Sequence, residues 1–236
     1  DHIFKLGYTV RPREGSIRTV YSGLDAERID LIDGGLQTQV MTLRALEMED
    51  RSRNRGHLYL HSTQEVLVEP FEIWERGTES VVIPMGTYSF EEAEFQITTS
   101  TTRMFWGMLS HRAGNFYDGD RERTSVRLGW RPSTHFRTTL DYTLNDVKLP
   151  HGDFSTRRLQ FRADVIFSAT LSWVTLLQYD DVSETMGINA RLHWIPEAGR
   201  EAFIVLNHNL QDFDRNNRFN SASADLALKF NYTFRF

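Results

Sequence analysis

The 236-residue chain has no cysteine, few lysines and no long apolar run. The absence of cysteine excludes a disulfide-stapled miniprotein and a thiol-ligated metal site. No stretch approaches the roughly 18 consecutive apolar residues of a membrane-spanning helix, but a membrane-spanning β-barrel needs no such run. Hydrophobic residues still make up 40% of the chain and aromatic residues 12%, which excludes a disordered segment as well.

The charge balance gives no reason to expect nucleic acid as a partner. Acidic side chains outnumber basic ones by 32 to 27, and lysine occurs only at Lys5, Lys148 and Lys229. Nucleic-acid-binding proteins carry a basic patch or stripe instead. A glycine-rich phosphate loop is also missing, because Gly107 and its neighbours lie in a strand pattern. We therefore expect no cofactor.

Apolar and polar residues alternate along most of the chain, and the alternation is clearest at the C-terminus. Every second position there is apolar: Leu226, Leu228, Phe230, Tyr232, Phe234 and Phe236. A period of two residues is typical of β-strands. With turn residues as boundaries, the pattern predicts about thirteen strands, near residues 3–10, 17–31, 36–48, 57–68, 88–99, 103–116, 123–130, 134–146, 155–167, 170–179, 184–195, 200–210 and 221–236.

The predicted connectors fall into two alternating sets. One set is short, as at Arg131-Pro132-Ser133 and Ser168-Ala169, and the other is mostly longer and acidic, as from Lys148 to Phe154. Outer-membrane barrels have short periplasmic turns and longer outer loops. The pattern therefore predicts an all-β fold, an antiparallel up-and-down transmembrane β-barrel of about 13–14 strands. A soluble β-sandwich remains an alternative, because its strands also have one apolar and one polar face.

Aromatic residues favour the membrane interpretation because they gather at strand ends. Those near the predicted short connectors are Trp130, Phe136, Phe167, Trp173, Trp194, Phe234 and Phe236, and those near the other rim are Tyr117, Tyr142 and Tyr179. Two aromatic belts are expected where rings lie at a lipid–water interface. The C-terminal Tyr232, Phe234 and Phe236 are similar to the signal that the barrel-assembly machinery reads, so we expect that machinery and outer-membrane lipid as partners.

The polar alternate positions carry charges of both signs. We predict that they line the lumen, at Arg127, Arg137, Asp141, Arg158, Arg162, Asp164, Arg191, His193, Lys229 and Arg235. A ring of guanidinium groups would favour anionic solutes, because charged rings set the selectivity of pores. The alternative is that arginine and aspartate side chains pair across neighbouring strands and only hold the wall together.

Several stretches resemble the C-terminal barrel region of a family of bacterial outer-membrane proteins called domain of unknown function 5916. They are Glu69-Pro70-Phe71-Glu72-Ile73, Val82-Ile83-Pro84-Met85-Gly86-Thr87-Tyr88, Phe116-Tyr117-Asp118-Gly119-Asp120-Arg121, Trp130-Arg131-Pro132-Ser133, Leu149-Pro150-His151-Gly152-Asp153-Phe154, LQYDDVSETMGINARLHWIPEAG from Leu177, and the ending LKFNYTFRF. The resemblance implies a barrel whose longer relatives begin with a domain similar to family 9 carbohydrate-binding modules and continue with many more strands. This chain contains no such first domain.

Strand parity agrees with a chain that is part of a longer barrel. The first predicted strand leads into a short connector, whereas bacterial barrels have even strand numbers with both ends in the periplasm. We therefore expect either one uncounted strand or further residues before Asp1. The prediction is a single barrel domain over residues 1–236, or the C-terminal portion of one.

Candidate chemistry outside the lumen is weaker. Asp181 and His151 lie in predicted outer loops, where a rim hydrolase would hold its acid and histidine groups, but solvated loop charges explain them as well. Asp212, Asp214 and Asn216 have calcium-loop spacing without the glycine and the bidentate acid that such a loop needs. His57 and His61 would share one strand face, but about 13 Å apart, which is too far for one metal.

The connector from Pro70 to Thr87 is the longest and contains the apolar residues Ile73, Trp74, Val81, Val82 and Ile83. Apolar residues in a loop are expected to pack on something, so the loop would fold into the lumen as a constriction or meet a partner. A disordered lid is the alternative.

Taken together, the sequence predicts an outer-membrane β-barrel that is not an enzyme. It would act as a passive pore for small polar, anionic or glycan-derived solutes, or as a membrane anchor. A structural or assembly subunit without transport is the second hypothesis, with other envelope proteins as further partners. A soluble glycan-binding β-sandwich and a rim hydrolase are weaker alternatives.

Overall fold

A computed structural model describes residues 2–32, 34–216 and 218–233. Regular structure in these residues consists of β-strands. No helix that is long and apolar enough to cross a membrane occurs among them. The all-β prediction is therefore confirmed.

The described residues form fifteen strands. They are β1 His2–Val10, β2 Ile17–Asp30, β3 Leu36–Asp50, β4 Arg55–Leu67, β5 Phe71–Arg76, β6 Glu79–Ile83, β7 Gly86–Thr98, β8 Phe105–Phe116, β9 Gly119–Trp130, β10 Phe136–Leu149, β11 Gly152–Ser168, β12 Leu171–Asp180, β13 Thr185–Glu197, β14 Arg200–Gln211 and β15 Asn220–Tyr232. Thirteen of them form one sheet in the order β1-β2-β3-β4-β7-β8-β9-β10-β11-β12-β13-β14-β15.

This sheet confirms the predicted antiparallel up-and-down topology, because each of its strands lies beside the next one along the chain, with β5 and β6 set apart. In the described residues the sheet is open, with β1 and β15 as its edge strands. The predicted boundaries agree to within a few residues. Among strand starts the largest difference is at β9, which begins at Gly119 and not near residue 123, and the predicted end of the last strand at 236 lies outside the described residues. Tyr117 has a left-handed φ of 52°, which lets the chain reverse within a short turn.

Side chains of alternating parity lie on two faces of the sheet, called here the apolar face and the polar face. On β7, Phe95 and Ile97 are exposed on the apolar face, while Glu92 is buried and Glu94 half-buried on the polar face. On β15, Leu228 and Phe230 lie on the apolar face, and Lys229 points the other way. The alternation seen in the sequence is therefore a true two-sided sheet.

Two close contacts between glycine and aromatic residues show how tightly the sheet packs locally. A Cβ atom at Gly7 would lie 2.1 Å from the Tyr21 hydroxyl, and one at Gly23, which pairs with Gly7, would lie 2.3 Å from it. A Cβ atom at Gly129 would likewise lie 2.1 Å from the Trp106 indole. At each place the ring occupies the space that a side chain would need.

The long connector predicted from Pro70 to Thr87 contains regular structure that the strand pattern did not identify. These residues contain the antiparallel hairpin β5–β6, which forms its own two-stranded sheet. Its strands are only 6 and 5 residues long. Such an isolated hairpin is at best marginally stable in water, so its order depends on packing against the rest of the chain. The hairpin contradicts the disordered-lid alternative, and that the loop forms a constriction in a lumen or meets a partner stays a prediction.

The chain forms two compact units, which are described separately. The first comprises Asp1–Thr101, Gly107–Val126 and Leu144–Thr156, and the second comprises Thr102–Trp106, Arg127–Thr143 and Arg157–Phe236. That residues 1–236 are one barrel domain stays a prediction.

Candidate functional site

The hairpin β5–β6 of the first unit packs on the polar face through a cluster of buried apolar side chains. This hairpin cluster comprises Val81, Ile83, Phe90, Phe116, Tyr117, Val147, Leu149 and Phe154. Ile83 is 0% exposed, and the Trp74 ring stacks on Phe154 with 5.5 Å between centroids. Phe90 shares its face with Glu92 and Glu94. The hairpin therefore covers one end of the polar face with an apolar cap.

Tyr117 belongs to this cap and not to the apolar face, where an aromatic belt would place it. Its ring lies 4.8 Å from Phe116 and 5.3 Å from Phe90, and its hydroxyl donates a 2.9 Å hydrogen bond to Glu65. Burial raises the pKa of the Tyr117 hydroxyl, and the Glu65 carboxylate raises it further. Tyr117 thus stays protonated as a donor, and its assignment to the predicted belt is wrong.

A buried carboxylate follows the cap along β7. Glu92 is 3% exposed and accepts hydrogen bonds from Arg112 at 2.6 and 2.9 Å and from Arg121 at 2.6, 2.7 and 2.8 Å. The Arg121 guanidinium also lies 3.9 Å from the centroid of the Phe116 ring. We call these three charged residues the Glu92 cluster. Because both guanidinium groups share one carboxylate, removing that carboxylate would leave two partly buried charges without this partner.

Glu94 lies between two histidines on the same face. Its carboxylate is 3.1 Å from His57 Nε2 and 3.4 Å from His61 Nε2, because Glu94 pairs with Tyr59, which lies midway between them. The Tyr59 ring stacks on His57 at 4.0 Å. The described residues contain no group of three or more histidine, cysteine, aspartate or glutamate side chains placed to hold a metal ion.

The ion pairs continue across β3 and β2. Arg44 donates to Asp25 at 2.8 Å and to Glu47 at 2.9 Å, and its guanidinium carbon lies 5.6 Å from the Tyr59 ring centroid. Glu49 accepts from both Arg18 and Arg55. The polar face of the first unit is therefore lined by compensated charges. Our predicted site residues omitted this whole network, although the alternation of Glu92, Glu94 and Gln96 with apolar residues marks it in the sequence.

Nine of the ten predicted lumen-lining residues are described, and they share the polar face of the second unit. Arg127 donates to Asp141, and Asp164 accepts from Arg137 at 2.7 Å and from Arg162 at 2.8 and 3.2 Å. The Arg127–Asp141 and Arg137–Asp164 pairs join neighbouring strands, as the pairing alternative expects of them, whereas Arg162 and Asp164 are both on β11. Arg235 lies outside the described residues.

The other predicted lumen-lining residues of this face have fewer hydrogen bonds and ion pairs than Arg127, Arg137 and Arg162. The side chains of Arg158 and Arg191 make no hydrogen bond or ion pair within the described part of the chain. The His193 ring stacks on Phe203 at 4.2 Å, with Nε2 3.4 Å from Glu201. Lys229 is exposed on the edge strand β15. A cavity of about 380 Å³ lies beside Arg191 and His193.

Of the predicted assembly signal, only Tyr232 is described. Its hydroxyl accepts a 3.2 Å hydrogen bond from Arg200, whose guanidinium carbon lies 4.9 Å from the Tyr232 ring centroid. Phe234 and Phe236 lie outside the described residues, so the signal stays a prediction.

The loop residues considered for catalysis or metal binding have local partners. His151 Nε2 is 3.1 Å from Asp118, and the Asp181 carboxylate accepts a 2.6 Å hydrogen bond from the Arg157 amide. The Asp212 carboxylate accepts a 3.1 Å hydrogen bond from the backbone N–H of Asn216. These contacts are sufficient to explain the residues as loop-stabilising groups.

Comparison with known proteins adds no relative. No protein-family model matches the chain, and no curated protein sequence matches it. The resemblance to domain of unknown function 5916 therefore stays a prediction.

Proposed function

We propose that this chain is an outer-membrane β-barrel domain, or the C-terminal part of one, with its apolar face against lipid and its polar face against water. Its role is that of a passive pore for small polar or anionic solutes, or of a membrane anchor. The resemblance to the barrel region of domain of unknown function 5916 supports this proposal.

The observation that carries the proposal is the reversed polarity of the sheet. Phe230 is 64% exposed on the apolar face, whereas Asp164 on the polar face is 6% exposed. Soluble monomers rarely expose apolar patches of more than a few hundred Å². In this sheet, exposed apolar residues occur on many strands between β3 and β15. Its exposed residues include Leu43, Leu58, Leu60, Phe95, Ile97, Leu140, Phe167, Trp194, Ile204, Leu206, Leu226 and Leu228. In lipid this exposure is favourable, and the strand ladders satisfy the backbone amides.

A matched pair of substitutions on β7 tests the membrane assignment. Phe95 and Gln96 are neighbours on opposite faces. In a barrel, Phe95→Arg places a charge against lipid at a cost of about 2–4 kcal/mol near the bilayer midplane, whereas Gln96→Arg faces water. We expect Phe95→Arg to reduce the folded fraction in outer membranes, measured by heat-modifiable gel migration, and Gln96→Arg to leave it near wild type. A Phe95→Arg chain that stays monodisperse without detergent would contradict the proposal.

The hairpin favours a second candidate, a structural subunit without transport. Its apolar cluster covers one end of the polar face in the first unit, which would obstruct water and solutes there. Conductance in planar bilayers separates the two candidates. A pore is indicated by ion current in the wild type. Insertion without current, even after residues 71–83 are replaced by a short Gly-Ser linker, would indicate the structural role.

A further inference from the structure

We propose that the polar face of the second unit binds the oxyanion group of a small solute, such as a phosphate, sulfate or carboxylate, at Arg191 and the Arg137–Asp164–Arg162 cluster. This inference rests on the proposed function, since it requires that face to meet water. It narrows the solute class to molecules that carry a compact, oxygen-based negative charge.

The strand register brings these residues together. Asp164 of β11 pairs with Val174 of β12, and Val174 pairs with Arg191 of β13, so all three lie in one row. Neighbouring strands are about 4.8 Å apart, which puts the Asp164 and Arg191 backbones about 10 Å apart. The cavity of about 380 Å³ is lined by both residues and by Arg137, Arg162 and His193. Its volume lies in the range of small-molecule sites, about 300–1,000 Å³.

The charges around the cavity do not balance. Among the described residues, three guanidinium groups line it, and the carboxylate that lines it is that of Asp164. The Glu201 carboxylate lies 3.4 Å from His193 Nε2 and does not line the cavity. The first unit differs, because Arg112 lies near both Glu92 and Glu94, and Arg44 near both Asp25 and Glu47. A concave site with excess positive charge concentrates anions.

The guanidinium N–H groups that do not bond to Asp164 are suitable donors for an oxyanion. Arg137 donates only its Nε atom to Asp164, and Arg162 donates Nε and Nη2, so neither guanidinium is fully used. The Arg191 side chain makes no hydrogen bond or ion pair within the described residues. A guanidinium group has five N–H donors in a planar fork that matches carboxylate and phosphate oxygens. Asp164 thus orients two guanidinium groups, and Arg191 supplies a third from β13, two strands away from Asp164.

Isothermal titration of the full chain in detergent tests the site. The probes are sodium phosphate, sodium sulfate and sodium acetate, each added at constant ionic strength against sodium chloride. We expect saturable binding of at least one oxyanion and a loss of at least tenfold in affinity in Arg191→Gln. Arg158→Gln is the matched control, because Arg158 is also an unpaired arginine of this face but does not line the cavity. It should change affinity by less than twofold.

The outcomes divide clearly. No binding of any of the three oxyanions overturns the inference, and so does an equal loss in Arg191→Gln and Arg158→Gln, which would indicate attraction by overall charge. Failure of the proposed function gives a different result, because it is measured by the Phe95 and Gln96 variants in membranes. The titration needs only folded protein in detergent and no conduction.

Discussion

Replacing Ile83 by alanine should loosen the hairpin β5–β6 without unfolding the main sheet. Ile83 is 0% exposed in the hairpin cluster, and alanine removes three of its carbon atoms. At about 0.8 kcal/mol for each buried carbon, the lost transfer free energy is about 2.4 kcal/mol, and the remaining cavity can raise the cost toward about 5 kcal/mol. The smaller value corresponds to an increase of about 50-fold in the opening equilibrium of the hairpin.

The effect should stay local because β5 and β6 pair only with each other. Amide hydrogen exchange reports such local opening segment by segment. We expect peptides that cover residues 69–87 to exchange about 50-fold faster in Ile83→Ala, while peptides from β4 and β8 keep the wild-type rate. Val82→Ala is the matched control, since Val82 directly precedes Ile83 on the same strand and is 39% exposed. Equal acceleration in both variants, or in the whole sheet, would refute the assignment of Ile83 as the hairpin's anchor.

Two further predictions concern the sheet itself. Glu92→Gln should lower the free energy of unfolding by about 2–3 kcal/mol, somewhat below the value for a fully buried pair because its two arginine partners are partly exposed. The exposed neighbour Glu91→Gln should change it little, and urea denaturation in detergent measures both. Gly129→Ala should reduce the folded yield, because the new Cβ atom would lie 2.1 Å from the Trp106 indole. Adding Trp106→Leu should restore that yield on a heat-modifiability gel, and failure of this rescue would show that the contact is not the cause.

The strand pattern could be predicted because one side of nearly every strand is apolar. The period of two survives along the main sheet, so turn residues were sufficient to place thirteen strands. The hairpin β5–β6 could not be found in the same way. Its strands are short, and Ile83 is buried by residues as distant in sequence as Phe116 and Phe154. Only the folded chain brings those residues together.

The sequence could predict on which face of the sheet the candidate site lies, but not which of its residues form hydrogen bonds with each other. Parity places Arg137 and Asp164 on the polar face, yet their hydrogen bond joins residues 27 positions apart. In the first unit a β-bulge also disturbs the parity. The register of β3 shifts between Arg44 and Leu46, so Arg44 and Glu47 hydrogen-bond to each other although they are an odd number of residues apart. A strict alternation would have put them on opposite faces.

The two units use the same polar face in different ways, and this difference leads to a last prediction. The hairpin covers the face in the first unit, whereas unpaired guanidinium donors surround a cavity in the second. Within the described residues, no hydrogen bond joins the hairpin cluster to the arginines of the cavity, so perturbations of the two should be independent.

In a conducting barrel, replacing residues 71–83 by a short linker should raise conductance and leave the preference for anions unchanged. Arg191→Gln should weaken that preference, measured as the reversal potential in a salt gradient, and leave conductance nearly unchanged. The double variant should show both effects at full size, because a physical obstruction and an electrostatic attraction act on different steps of passage. A double variant with the phenotype of one single variant would mean that the hairpin and the arginine cavity form one coupled element.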